Sequence, residues 1–292
     1  MIFVQLLFNS LIIGSIYALV ASGFSMIYGT NRFIHFAHGS SVAAAGYIMF
    51  LLFVILGIPF WASIPLTILA ASGLGYLMFV GIYAPMRQRH SSNVVLLIAS
   101  VGILILVENL ILMLFGADVK SIQRFPLHGI SVFGAIITPL QLVIFIVSIA
   151  ILVGLFLMMK RTALGRHMRA VADNPELARI MGVNSRRIQG YSFLIGSALA
   201  GVAGILIGLE QNLEPTMGTM LMVKGFTGAV IGGVTSIPAS VVGSYLLGLA
   251  ENYGIWYLPS GYKDAIAFGL LFIFLLFRPT GIFGINKGGV KT

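Results

Sequence analysis

Residues Lys160–Arg187 read KRTALGRHMRAVADNPELARIMGVNSRR and lie between two long apolar segments. Seven basic residues (Lys160, Arg161, Arg166, Arg169, Arg179, Arg186 and Arg187) stand there against Asp173 and Glu176. In a chain otherwise almost wholly apolar, such a run must sit in water, and the positive-inside bias assigns it to the cytoplasmic side. Its middle is a helix candidate. Ala170, Ala172, Leu177, Ala178 and Met181 are mostly good helix formers, and Gly182 stands where a helix would end. Pro175 suits a first helical turn, with Asn174 or Asp173 before it as cap. A loop that only held its charge in water would need no helix with a small-residue face. The stretch therefore reads as a docking surface; the competing reading is a solvated basic loop that fixes topology alone.

Composition places the rest of the chain in a membrane. Of 292 residues, 59% are hydrophobic and 9% charged, where a soluble domain carries roughly 25% charged residues. With a mean hydropathy of +1.04, residues 1–292 form one polytopic domain in membrane lipid, with residues 160–187 as a loop within it. The net charge of +9 does not indicate nucleic acid, because the basic residues gather in loops beside apolar spans and not on one amphipathic face. Cysteine is absent, which excludes disulfides, thiolate metal sites and thiol nucleophiles. The N-terminal run lacks a positive n-region and is too long for a signal-peptide core, so it reads as a retained first span.

A membrane helix needs about 20 mostly apolar residues. Nine candidates follow: Ile2–Tyr28, Ser40–Leu56, Trp61–Tyr83, Val94–Phe115, Ile136–Met159, Ile188–Leu209, Met220–Ile237, Ala239–Tyr257 and Ala265–Phe277. The seventh contains Lys224 and several glycines and could be broken. Alternation from the central loop places Arg32, Arg87, Arg89, Arg278, Lys287 and Lys291 on the cytoplasmic side, and Lys120, Arg124 and Lys263 opposite. The N-terminus is then outside and the C-terminus cytoplasmic.

Within the spans, Gly204 and Gly208, and Gly228 and Gly232, recur at the spacing that lets helix backbones approach closely. Packing inside the chain is the first reading, a dimer seam the second. Gly232-Gly233 followed by Thr235, Ser236 and Pro238 can unwind a helix and free backbone carbonyls for a substrate. Charges at membrane depth are costly. Of the three, Glu108 reads as solvated or structural. Lys224 and Glu251, of opposite sign on neighbouring spans, read first as a helix-locking ion pair and second as substrate contacts. His35 and His38 lie three apart without a nearby carboxylate or thiol, and read as interfacial residues at a helix start rather than a metal site. HGSSVAAAGYIMFLL from His38 and TSIPASVVGSYLLGL from Thr235 echo each other weakly. No zinc-protease, nucleophile-elbow or phosphate-loop motif occurs, so the chain reads as no enzyme.

Four blocks carry a resemblance over nearly the whole length: Ser15–Gly39, Leu164–Asn184, Met222–Glu251 and Tyr262–Gly284. Together they resemble the permeases of branched-chain amino acid ABC importers, specifically the shorter of the two permeases in such systems. The resemblance implies an all-α integral membrane protein of about nine transmembrane helices with a cytoplasmic coupling helix, resting in a groove of an ATPase subunit. That helix maps onto Ala170–Gly182, with Ala172, Asp173, Asn174, Ala178 and Gly182 at the matching positions and Pro175, Glu176 and Arg179 among them. Asn31, His38, Lys224, Gly232, Gly233 and Glu251 become candidates for the translocation path or for helix locking. The implied partners are a second, homologous permease, two ATPase subunits and a periplasmic or surface-tethered substrate-binding protein. The chain itself would need no cofactor, since ATP and Mg belong to the ATPases. The place would be a bacterial inner membrane. A permease of the same family for urea or short amides, an ion-coupled secondary carrier and a facilitative channel are the competing functions.

Overall fold

The computed structural model describes residues 2–122, 129–132 and 134–284. Arg124, Lys287 and Lys291, used above for orientation, lie outside the described residues. The fold is all-α apart from a short hairpin. Helix α1 is Ile2–Asn31 and α2 is His38–Phe50, continued by a wider turn to Ile55. Helix α3, Phe60–Met78, runs through a second wide turn into α4, Ala84–Gln88. Helix α5 is Asn93–Phe115, followed by the antiparallel pair β1, Ile130–Val132, and β2, Ala135–Ile137. Then come α6 (Pro139–Arg161), α7 (Ala163–Asp173), α8 (Pro175–Ile180), α9 (Ser185–Glu210), α10 (Met217–Gly232), α11 (Ile237–Tyr257) and α12 (Lys263–Phe277).

Six helices among the described residues are long and apolar enough to cross a membrane, or seven if α10 and α11, bent by 114° at their junction, count as one span. This is a multi-pass membrane protein. Each of the nine expected segments overlaps a helix, but the fifth begins on β2 and the seventh runs across the break between α10 and α11. Helix α10 has 16 residues and α12 has 15, below the ~20 that a perpendicular crossing uses.

Helix α1 is the hub. It packs on α9, α10, α11 and α6, and from Gly14 to Asn31 nearly every side chain is buried. By contrast α5 and α6 turn Leu106, Met113, Leu114, Val143 and Ile146 outward, the lipid-facing arrangement expected of peripheral spans. Glycine allows the close crossings. A methyl group at Gly23 would stand 2.8 Å from the carbonyl oxygen of Gly196, so α1 and α9 touch backbone to backbone there. Gly39 and Gly218 do the same for α2 and α10. Gly204 lies against Val42, Gly208 against Leu213, Gly228 against Ser244 and Gly232 against Ala239. The four-residue glycine spacings are thus used within the chain.

Candidate coupling surface and polar sites between the helices

The basic loop is built as two helices, not one. Thr162 caps α7 by accepting from the Gly165 amide at 3.1 Å. The chain then breaks at Asn174, whose side chain accepts from Glu176 and Leu177 amides, both at 3.0 Å, to start α8 with Pro175 in its first turn. Gly182 ends α8 in the left-handed region (φ +83°). Its amide donates to Arg179 and the Val183 amide to Ala178, the paired bonds that favour glycine after a helix. Ser185 donates to the Pro175 carbonyl at 3.0 Å, tying α8 to the start of α9.

This geometry redistributes the expected docking face. Ala178 turns into the bundle and is buried, and Ala172 is half-buried beside α1. The outward face of α8 and its end is instead Leu177, Ile180 and Met181, the last two about 80% exposed (81% and 76%). Ala170, Asp173, Glu176, Arg179 and Gly182 surround it, exposed. A run this short satisfies more than one helical phase, so the sequence did not show which side faces out.

The loop is anchored to the bundle end. Arg32 donates to the Ala172 carbonyl and Arg87 to that of Asn31. Asn31 is buried, and its amide donates to Ile27 (3.1 Å), Thr30 (2.9 Å) and Ser192 (3.1 Å), joining α1 to α9. The basic residues of three loops therefore share one end of the molecule, called here the basic end.

From Asn31 the chain does not leave the bundle. His38, the first residue of α2, places its Nε2 3.2 Å from the Val20 carbonyl of α1. Eleven residues of helix separate Val20 from Asn31, about 16 Å, so residues 32–37 climb back inside. Irregular backbone at such depth needs partners within the protein. Ser100 of α5 supplies one: its hydroxyl accepts from the Phe36 amide at 3.1 Å. His35 and His38 are both fully buried, not interfacial as the sequence suggested. Their rings lie 6.3 Å apart, with His35 caged by Phe33, Tyr83 and Phe193.

The second break, Gly233–Ser236, follows from Gly233 at φ +134°, a conformation that disfavours any side chain. The carbonyls it would release are occupied. Ile282 donates to Ile231 at 2.8 Å and Phe283 to Gly232 at 3.0 Å, so the segment after α12 hooks onto the end of α10. Gly232 and Gly233 serve this interlock, and these carbonyls are not left for a substrate.

Toward the opposite end, Lys224 of α10 lies 3.3 Å from Glu251 of α11 and 2.9 Å from Asp264 of α12. Tyr17 of α1 donates to the other Glu251 oxygen at 2.8 Å. Glu251 is 1% exposed, Lys224 13% and Asp264 49%, so the cluster grades from dry to wet. The wet side opens into a polar cavity of about 740 Å³, walled by Tyr17, Lys224, Asn252, Asp264, Glu210 and Glu214. Sequence reading paired Lys224 with Glu251 but missed Tyr17 and Asp264. Glu108 accepts from Thr219, linking α5 to α10.

Among the described residues no group of three or more His, Asp or Glu side chains is placed to hold a metal ion. Residues 6–275 match the family described as branched-chain amino acid transport system / permease component. The chain is 37% identical to the high-affinity branched-chain amino acid transport system permease protein BraD of Pseudomonas aeruginosa, over 97% of this chain and 96% of that one. It is 35% identical to the permease protein LivH of Escherichia coli K12, again over 97% and 96%. With LivM of the same organism the identity is 23%, covering 94% of this chain and 69% of LivM. The solved structure of PsaBC from Streptococcus pneumoniae in complex with Fab shares the fold, with a TM-score of 0.54 at 15% identity over 93% of this chain and 91% of that one. The chain thus belongs to the branched-chain amino acid transport system permease family, as a non-catalytic permease component of an ABC importer.

Proposed function

We propose that this permease carries branched-chain amino acids across the inner membrane of a bacterium, forming half of a pathway whose other half is a homologous, longer permease. The names of its relatives support the substrate, and the coexistence of LivH and LivM in one organism, both similar to this chain, supports a heterodimer. Two ATPase subunits and a substrate-binding protein complete the importer. In this reading α10, α11 and α12 each cross the membrane, giving nine crossings with the N-terminus outside. The basic end is then cytoplasmic by the positive-inside bias, and the 740 Å³ cavity faces the binding protein.

The observation that carries the reading is the exposed apolar face of Leu177, Ile180 and Met181 on a capped helix in an otherwise basic, water-facing loop. Exposed apolar residues held rigid in such a place mark a protein contact. They are the surface we assign to the ATPase groove, with Ala170, Ala172, Asp173, Asn174, Pro175, Glu176, Arg179 and Gly182 shaping it and Ala178 fastening it from behind. Asn31 and His38 lock helices in this account, as do Gly232, Gly233 and the Lys224–Glu251 pair.

Uptake of labelled leucine into vesicles bearing the permease pair, ATPases and binding protein tests it. Uptake is expected only with ATP inside the proper compartment, with isoleucine and valine competing and urea not. Uptake driven by an ion gradient without the ATPases would contradict the reading.

A further inference from the structure

A groove runs between α6 and α11, and of its lining residues only Ala172 belongs to the coupling surface proposed above. It consists of two contiguous cavities sharing Phe156, Ile237 and Pro238. The one at the basic end, about 500 Å³, is walled by Lys160 and Arg169 together with Ser25, Thr30 and Ser236. The one beyond it, about 400 Å³, is lined by Leu11, Phe145, Ile149, Leu152, Val241 and Tyr245. We propose that this groove binds an anionic phospholipid, with its phosphate at the basic end and an acyl chain along α6.

Four observations converge on that occupant. The first cavity carries two cations and no carboxylate among its lining residues, so its charge calls for an anion. The N-terminus of α11, a helix of 21 residues, forms its wall through Thr235–Pro238, and the positive end of a helix dipole favours an anion at that place. Ser25 is buried, lines the cavity, and its hydroxyl finds no hydrogen-bond partner among the described residues. A phosphate oxygen would accept from it. Finally, the second cavity is apolar and accessible from the membrane side, where Ile149, Val153 and Phe156 are exposed. From Phe145 to Phe156 the groove spans about 16 Å, close to half of the ~30 Å hydrocarbon core, the depth of one leaflet. A free phosphate would leave that part empty. A zwitterionic amino acid would lack a carboxylate for its ammonium group. Basic pockets between membrane helices recognise acidic headgroups by this chemistry.

The test is thermal unfolding of the full-length chain, purified and delipidated in detergent, with phosphatidylglycerol, phosphatidylcholine or glycerol phosphate added. Phosphatidylglycerol should raise the melting temperature by several degrees more than phosphatidylcholine, and glycerol phosphate should not. The charge reversal K160E/R169E should remove the phosphatidylglycerol increment and keep the phosphatidylcholine response. Val153→Trp, which fills the groove at an exposed position, should also remove it. Equal shifts with the two lipids, or the full shift with glycerol phosphate, would overturn the proposal. So would an unchanged increment in Val153→Trp, or native mass spectra of the assembled importer in which the wild-type permease retains no more phosphatidylglycerol than K160E/R169E, as expected if a neighbouring subunit fills the groove.

Discussion

At the residue scale, Lys224 is held by two carboxylates of different exposure. Removing its ammonium leaves Glu251 uncompensated in a dry position. Breaking a buried pair from one side costs about 3 to 5 kcal/mol. We therefore expect Lys224→Met and Glu251→Gln each to lower the melting temperature in detergent clearly, and the double variant to recover part of the loss, because Asp264 is wet enough to stand alone. Equal loss in all three variants would contradict a locking role. Tyr17→Phe should cost less, about 1.5 to 3 kcal/mol, as a single hydrogen bond to a charged group is removed. The opposed signs on adjacent spans made Lys224 and Glu251 legible in the sequence. Tyr17 was not, because a tyrosine in an apolar helix reads as core. Nor was Asp264, because an acid at a helix start reads as a surface charge.

At the element scale, two breaks shape the bundle, at residues 32–37 and 233–236, and each is followed by a helix from the echoing sequences, α2 and α11. The second break was legible as Gly-Gly before Thr-Ser-x-Pro. The first was not, because RFIHFA carries neither glycine nor proline; its conformation is set by Ser100 and by the close approach of His38 to α1 at Gly23. Gly23→Leu should therefore be severely destabilising, with loss of folded protein in membranes, whereas Gly73→Leu, at a position with open space, should be tolerated. The basic loop teaches a related lesson. Asn174, Pro175 and Gly182 announced helix ends, and those ends are where the sequence put them. Which side of α8 faces outward was settled by the bundle, through Ala178 and Ser185. Asn174→Ala removes the α8 cap, worth about 1 kcal/mol, and should reduce coupled ATP hydrolysis without removing the protein from the membrane.

At the scale of the whole molecule, a hub helix, two spans with outward apolar faces and a basic end fit the proposed half of a pathway driven from one side. The absence of cysteine permits single-cysteine labelling. Met181→Cys should react only with reagents that reach the cytoplasm, and Asp118→Cys, at a fully wet position of the opposite end, only from outside. The central claim is that α8 transmits ATP hydrolysis to this bundle. It is tested most directly by ATP hydrolysis in the reconstituted importer, with and without loaded binding protein, for the wild type and for Ile180→Asp/Met181→Asp. Burying two such side chains stabilises a contact by about 1.5 to 3 kcal/mol each. The variant should thus fold and insert normally yet lose its binding-protein stimulation by tenfold or more. Undiminished stimulation in a variant that carries two charges on that face would contradict the account.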